Sequence, residues 1–140
     1  MNSTILLVDD NKSFIDIEKE FLKQCDIEVL TAYDGLEAFY VVKTKKPELV
    51  FMDLQMPKMD GARCCRAIKS DNNLACTPVV MVTAMGSEEE AAECYTAGCD
   101  YFMTKPFTKD HFLKVVRQFL PGFELREKLE TISGQASCPI

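Results

Sequence analysis

In Leu49-Val50-Phe51-Met52-Asp53, four apolar residues are followed directly by a carboxylate, and this pattern indicates the fold. The same form recurs in Ile5-Leu6-Leu7-Val8 before Asp9-Asp10, in Val79-Val80-Met81-Val82 before Thr83, and in Tyr101-Phe102-Met103-Thr104 before Lys105-Pro106. A short apolar run that ends in a polar residue is typical of a buried parallel strand that delivers a side chain to the carboxyl edge of the sheet. Since open α/β sheets bind ligands at that edge, the pattern predicts that these polar side chains converge.

Segments with helical periodicity separate these runs, and a further strand is expected at residues 27–31. The first helical segment shows an apolar spacing close to 3.6 residues at Phe14, Ile17, Phe21, Leu22 and Cys25. Pro47 and Gly98 mark helix ends, and Ser87 to Glu90 fits a capping box. The order βαβαβαβαβα predicts an α/β fold with three layers: a doubly wound, five-stranded parallel sheet in the flavodoxin-like order 2-1-3-4-5.

Length and composition indicate one domain with a short appendage. The chain has 140 residues, of which 47% are hydrophobic and 27% are charged. Because Pro121-Gly122 breaks the last helix, we assign residues 1–121 to the domain and residues 122–140 to a C-terminal tail or linker. Leu125, Leu129 and Ile132 recur at helical spacing, so the tail is expected to be partly helical and then disordered.

Charge and cysteine content narrow the classes of partner. The net charge of −6 disfavours electrostatic binding to nucleic acid or to a membrane surface, so we expect neither as a direct partner. Seven cysteines without a C-x-x-C pair, and a single histidine, argue against a zinc site. No leader or membrane-spanning pattern is present, and we therefore expect a cytoplasmic protein with free thiols, most of them small core residues.

The carboxylates Asp9, Asp10 and Asp53 are expected at one edge of the sheet. Like charges that close repel each other unless a cation intervenes, and Mg²⁺ is a hard cation that prefers oxygen ligands. The backbone carbonyl of Gln55 could supply another oxygen. Taken singly, Asp10 or Asn11 could instead cap the first helix, and Asp53 could be a turn residue.

The same edge is suited to a phosphoryl group. A carboxylate can act as a nucleophile and form an aspartyl phosphate, whose oxygens then need neutralising partners. Lys105 offers an ammonium group, Thr83 a hydroxyl, and Mg²⁺ a third contact. Each residue alone has an ordinary alternative, a strand threonine or a solvated lysine, but their convergence with the acids favours a phosphate site.

Over residues 3–120 the chain resembles the receiver domain of bacterial two-component response regulators. The stretches that carry the resemblance are Leu7-Val8-Asp9-Asp10, residues 52–61, Val82-Thr83-Ala84, residues 97–101, and Lys105-Pro106-Phe107. Residues 52–61, MDLQMPKMDG, form the most specific of these motifs. The third helix departs from the usual pattern with Ala62, Cys64 and Cys65 in place of larger aliphatic residues.

The resemblance implies a role for each matching position. Asp53 would be the phospho-acceptor, and Asp10 and Asp53 direct Mg²⁺ ligands with the Gln55 carbonyl, while Asp9 would act through water. Thr83 would be the switch hydroxyl and Phe102 the aromatic switch residue. Lys105 would hold a phosphoryl oxygen, with a cis peptide bond before Pro106.

The resemblance also implies partners. The phosphoryl donor would be a sensor histidine kinase, a phosphotransfer protein or a small acyl phosphate. A surface formed by the fourth helix, fifth strand and fifth helix would change with phosphorylation. A downstream protein, or an output domain that this chain lacks, would recognise it, and a homodimer through the same face is a further option. The chain would be no enzyme in the usual sense, since it would catalyse only its own phosphorylation and dephosphorylation.

Other functional classes remain as alternatives. A receiver-like scaffold would bind partners without phosphorylation, although such proteins usually lose an acid, the threonine or the lysine. A Mg²⁺-dependent phosphohydrolase typically carries a second acid two residues after the nucleophile, where this chain has Gln55. A flavin-binding protein with the same strand order would need a phosphate loop where Asp9-Asp10-Asn11 stands.

Overall fold

Strands and helices alternate through residues 3–120, the part of the chain that this computed structural model describes. The strands are β1 (Ser3–Val8), β2 (Ile27–Ala32), β3 (Leu49–Asp53), β4 (Val79–Thr83) and β5 (Tyr101–Thr104). The helices are α1 (Lys12–Phe21), α2 (Gly35–Lys45), α3 (Gly61–Ser70), α4 (Glu88–Thr96) and α5 (Lys109–Phe119). All strand pairs are parallel in the order β2-β1-β3-β4-β5, which confirms the predicted fold.

The sheet is covered on both faces because successive strand residues point to opposite sides. Leu6 of β1 packs in a core with α2, α3 and α4, whereas its neighbour Leu7 packs in a second core with α1 and α5. The second core is aromatic, with Phe51 and Phe112 ring centroids 4.6 Å apart. Two packed cores around one sheet give the expected three layers.

The small residues of α3 fit the first core. Ala62, Cys64 and Cys65 are at most 1% exposed. Burial, with smaller contributions from neighbouring groups, raises the pKa of Cys64 to about 12 and that of Cys65 to about 11, so both thiols remain protonated at neutral pH. Within residues 3–120, Cys76 is the only exposed cysteine, which agrees with the prediction that most cysteines are small core residues.

The buried face of α1 differs from the apolar spacing in the sequence. Ile17 is 48% exposed, whereas Ile15 and Glu18 are buried at 1% and 2% exposure. The helix ends at Phe21, so Cys25 packs from the following turn rather than from the helix. The prediction from periodicity was wrong here because it prefers an isoleucine to a glutamate as a core residue. In α1 the glutamate, Glu18, is buried and the isoleucine, Ile17, is exposed.

Local backbone chemistry holds α3 against the end of β3. The Gly61 N–H donates to the Leu54 carbonyl at 2.7 Å. A Cβ atom at Gly61 would collide with the backbone oxygen of Asp53, so only glycine permits this approach. The loop between β3 and α3 is thereby fixed next to Asp53.

The assignment of residues 122–140 to a tail, and Cys138 with it, lies outside the described residues. Within residues 3–120, no helix is both long and apolar enough to cross a membrane.

Candidate functional site

The register of the sheet brings the predicted polar residues to one edge. Val8, the last residue of β1, pairs with Met52 of β3, so the residues that follow, Asp9 and Asp53, lie side by side at the carboxyl edge. Thr83 ends the neighbouring strand β4, and Lys105 follows the end of β5. The edge therefore collects side chains from β1, β3, β4 and β5, as the four apolar runs predicted.

Asp9, Asp10 and Asp53 form an acidic cluster. One carboxylate oxygen from each lies within 4.8 Å of those of the other two. Asp9 and Asp53 are buried at 1% and 7% exposure, whereas Asp10 is exposed and opens the cluster to solvent. An all-oxygen donor set with one open side fits a Mg²⁺ ion, which keeps several of its waters.

The cap of α1 removes one alternative role for Asp10. The Asn11 side chain accepts hydrogen bonds from the Ser13 N–H at 2.9 Å and the Phe14 N–H at 3.3 Å, and therefore caps the helix. The Asp9 carboxylate accepts a bond from the Asn11 N–H at 2.9 Å. Asp10 is thus not used as the cap.

Lys105 supplies the positive charge of the cluster. Its Nζ lies 2.7 Å from Asp9 Oδ2 and 3.3 Å from Asp53 Oδ1. The same atom lies 4.3 Å from the centroid of the Phe14 ring, within cation–π range. Burial alone would lower the pKa of Lys105, but its hydrogen bond to Asp9 and the charge of Asp53 outweigh burial and raise that pKa.

A single ammonium group does not balance the cluster. Burial, followed by the charge of Asp9, raises the pKa of Asp53 to about 6, although Lys105 opposes the shift. The three acids and Lys105 carry a formal charge of −2 when all are ionised (−3 + 1). A divalent cation would neutralise this excess.

Glu18 is a further acid near the cluster that the sequence argument missed. It is 2% exposed on the buried face of α1. Burial first, and then the charge of Asp9, raise the pKa of Glu18 well above its ordinary value. The available signal was its spacing, three residues after Ile15 and four before Leu22, which are both buried.

Thr83 is tied to the first turn of α4. Its side chain is buried, and its hydroxyl donates to Glu90 Oε1 at 3.1 Å. The Gly86 N–H donates to the same oxygen at 3.1 Å, and Gln55 Nε2 donates to Glu90 Oε2 at 3.3 Å. Glu90 therefore connects the loop after β3 with the end of β4.

Glu90 was predicted only as part of a capping box. Half of that motif is present, because Ser87 Oγ accepts the Glu90 N–H at 3.1 Å. The carboxylate bonds to the N–H of Gly86 rather than to that of Ser87, and it also accepts the hydroxyl of Thr83. Sequence spacing located the residue but gave no sign of this second contact.

The predicted switch residue Phe102 lies on β5, and Pro106, before which a cis peptide bond is expected, follows that strand. Phe102 is half-buried against the first core, and its ring centroid lies 6.4 Å from that of Tyr95 on α4. The Lys105–Pro106 peptide bond is cis, as the resemblance implied.

Comparison with known proteins places this geometry in a family. The family model described as the response regulator receiver domain matches residues 5–117. Protein PilG of Pseudomonas aeruginosa is 30% identical over 85% of this chain and 88% of PilG. The alkaline phosphatase synthesis transcriptional regulatory protein PhoP of Bacillus subtilis is 35% identical over 77% of this chain, but the match spans only 44% of PhoP.

A solved structure agrees with these matches. The chemotaxis protein CheY4 of Vibrio cholerae superposes with a TM-score of 0.80 at 28% identity, over 86% of this chain and 100% of that chain. The fold, the family match and the relatives agree, and the chain belongs to the family of response regulator receiver domains of two-component systems.

Proposed function

We propose that this chain is a phosphorylation-gated signalling module in which Asp53 accepts a phosphoryl group in a Mg²⁺-dependent reaction. The observation that carries the proposal is the position of Asp53, which lies within 4.8 Å of two other acids and 3.3 Å from the Lys105 ammonium group. This arrangement combines a nucleophile with groups that can neutralise an incoming phosphoryl group.

Each residue would have a distinct part in the transfer. An Asp53 carboxylate oxygen forms a bond to phosphorus while the bond from phosphorus to the donor breaks, and the donor leaves with that electron pair. Lys105 is close enough to pair with a phosphoryl oxygen without leaving the site. Thr83 can donate its hydroxyl proton to another phosphoryl oxygen. Asp10, Asp53 and the Gln55 carbonyl would hold Mg²⁺, with Asp9 acting through water, and the ion would supply the remaining neutralising charge.

The surface that transmits the signal would be formed by α4, β5 and α5. Thr83 bonds to α4 through Glu90, and Phe102 on β5 contacts Tyr95 on α4, so both predicted switch residues touch that helix. A sensor histidine kinase or phosphotransfer protein would supply the phosphoryl group in the cytoplasm. A downstream protein, an output domain or a second copy of the chain would bind the altered surface.

Two alternatives are weaker. A phosphohydrolase would need an acid two residues after the nucleophile, but Gln55 is an amide and its nitrogen donates to Glu90. A phosphorylation-independent scaffold would not require the buried ion pairs that Lys105 makes with Asp9 and Asp53.

The test is intact-protein mass spectrometry after incubation with acetyl phosphate, with and without Mg²⁺. We expect a base-labile phosphoryl adduct that requires Mg²⁺, is lost in Asp53→Asn and persists in Asp16→Asn, a control at an exposed acid of α1. An adduct that survives in Asp53→Asn would place the nucleophile elsewhere. No adduct from acetyl phosphate or from a phosphohistidine donor, with the fold intact, would favour the scaffold.

A further inference from the structure

The Glu90 carboxylate gathers three donors from different segments. Oε1 accepts the hydroxyl of Thr83 and the N–H of Gly86, both at 3.1 Å, and Oε2 accepts the amide of Gln55 at 3.3 Å. The Glu90 backbone is itself anchored, because its N–H donates to Ser87 Oγ. The carboxylate is therefore a fixed acceptor beside Thr83.

The hydroxyl of Thr83 has only one proton to donate. In the unphosphorylated chain that proton is directed to Glu90 Oε1. A phosphoryl oxygen on Asp53 would need the same proton, so the two acceptors compete. An ionised carboxylate is a strong acceptor, and the competition therefore opposes the movement of Thr83 towards a phosphoryl group.

We propose that Glu90 is a positioning residue that holds the Thr83 hydroxyl in the unphosphorylated arrangement and so sets how readily phosphorylation changes the chain. The inference rests on the proposed phospho-acceptor function of Asp53. Because Glu90 lies in the first turn of α4, release of Thr83 also removes a bond between β4 and that helix. The same exchange of partners would thus carry the signal to the proposed surface.

A purely structural role for Glu90 makes a different prediction. As an extended cap of α4, it would act through the Gly86 N–H, and its replacement would change stability without changing Thr83. The experiment must therefore observe Thr83 directly and compare Glu90 variants that change the charge or the side-chain length separately.

The first measurement uses the unphosphorylated chain. Three-bond NMR couplings to the Thr83 methyl group report its side-chain rotamer. We expect one rotamer in the wild type and in Glu89→Gln, which removes an exposed carboxylate from the same helical turn. Glu90→Gln should average between rotamers, and a single unchanged rotamer in that variant would overturn the proposal.

The second measurement is the affinity for beryllofluoride, a phosphoryl mimic, in the presence of Mg²⁺, followed by fluorine NMR. Glu90→Gln should bind about tenfold more tightly than the wild type, the effect of exchanging a charged acceptor for a weaker, neutral one. Glu89→Gln should stay within about twofold, the size of a small surface-charge effect. In a Thr83→Val background the gain should disappear, because no hydroxyl remains to be released.

Glu90→Asp separates the effect of charge from that of side-chain length, and it serves as a second variant should Glu90→Gln fold poorly. It keeps the negative charge near the N-terminus of α4 but shortens the side chain, so we expect the tighter binding of Glu90→Gln. Wild-type affinity in Glu90→Asp, or a gain that survives in Thr83→Val, would overturn the proposal. If the wild type binds no beryllofluoride and forms no adduct with acetyl phosphate or a phosphohistidine donor, the proposed function fails, whereas the rotamer measurement still decides the role of Glu90.

Discussion

The candidate phospho-acceptor site has two flanks that are built differently. The Lys105 flank, formed by Asp9, Phe14 and Lys105, is a buried charge pair with an aromatic ring against it. The Glu90 flank, formed by Gln55, Thr83 and Glu90, consists of hydrogen bonds to a half-buried carboxylate. A buried ion pair is costly to break, whereas hydrogen bonds near solvent exchange partners at low cost. The Lys105 flank is thus suited to hold a fixed charge and the Glu90 flank to rearrange.

The largest effect should follow from breaking the Lys105 flank. Lys105→Ala leaves Asp9 and Asp53 without their cation and should lower the metal-free free energy of unfolding by about 3 kcal/mol. Saturating Mg²⁺ should restore much of that loss. Urea unfolding with and without Mg²⁺ measures both quantities.

The matched control is Lys12→Ala, which breaks an exposed ion pair with Asp16. Its effect should stay below about 1 kcal/mol and should not depend on Mg²⁺. Equal losses in the two variants would mean that the Lys105 pairs contribute no more than a surface ion pair.

Asp53→Asn should change the way in which the free energy of unfolding depends on pH. Because the pKa of Asp53 is raised to about 6 in the metal-free fold, the folded state holds its proton more tightly than the unfolded state, where the pKa is about 3.9. The stability that this proton provides is present below about pH 4 and is lost as the pH rises to about 6. The asparagine variant, which does not titrate, should therefore gain about 2 kcal/mol relative to the wild type between about pH 4 and pH 7.

Urea unfolding across this pH range without divalent cations checks the gain. Asp16→Asn, at an exposed position, serves as the control. A difference between Asp53→Asn and the wild type that stays constant with pH would show that burial and Asp9 do not raise the pKa of Asp53.

Glu18→Gln tests the buried acid of α1, the helix that also carries Phe14 of the Lys105 flank. Since burial raises the pKa of Glu18, its ionised form is destabilising, and the neutral amide should stabilise the fold at neutral pH by about 1 kcal/mol. The gain should shrink as the pH falls towards the ordinary pKa of glutamate. Glu20→Gln, at an exposed position on the same helix, should show no such gain in thermal unfolding across the same pH range.

The sequence predicted the Lys105 flank more completely than the Glu90 flank. Asp9 and Lys105 each follow an apolar run, as Asp53 between the two flanks also does. The carboxyl ends of parallel strands meet at one edge, so the sequence pattern predicts that these residues are neighbours. Glu90 follows no strand. Its carboxylate reaches Thr83 because the loop after β4 turns back at Gly86, and such a turn is not encoded in hydropathy.

Glu18 shows the other limit of the sequence argument. Periodicity sorts residues by polarity, and Glu18 is an acid at a buried position while its neighbour Ile17 is exposed. Tertiary packing of α1 against the sheet decides which residue faces inward. In that position the Glu18 carboxyl interacts electrostatically with Asp9 and Lys105. Spacing from Ile15 and Leu22 can place Glu18 on the buried face, but only the three-dimensional packing shows that this acid lies near the charged cluster.

An effect as small as that expected at Glu18 tests whether the Glu90 flank is independent of the charged cluster. Ser87→Ala removes the acceptor of the Glu90 N–H and should lower the free energy of unfolding by about 1 kcal/mol, the usual contribution of a helix cap. Unlike the loss in Lys105→Ala, this loss should be the same with and without Mg²⁺, because no atom of Ser87 takes part in the acidic cluster. A Mg²⁺-dependent loss in Ser87→Ala would show that the two flanks are coupled before any phosphoryl group arrives, and the distinction between a fixed flank and a rearranging flank would then be wrong.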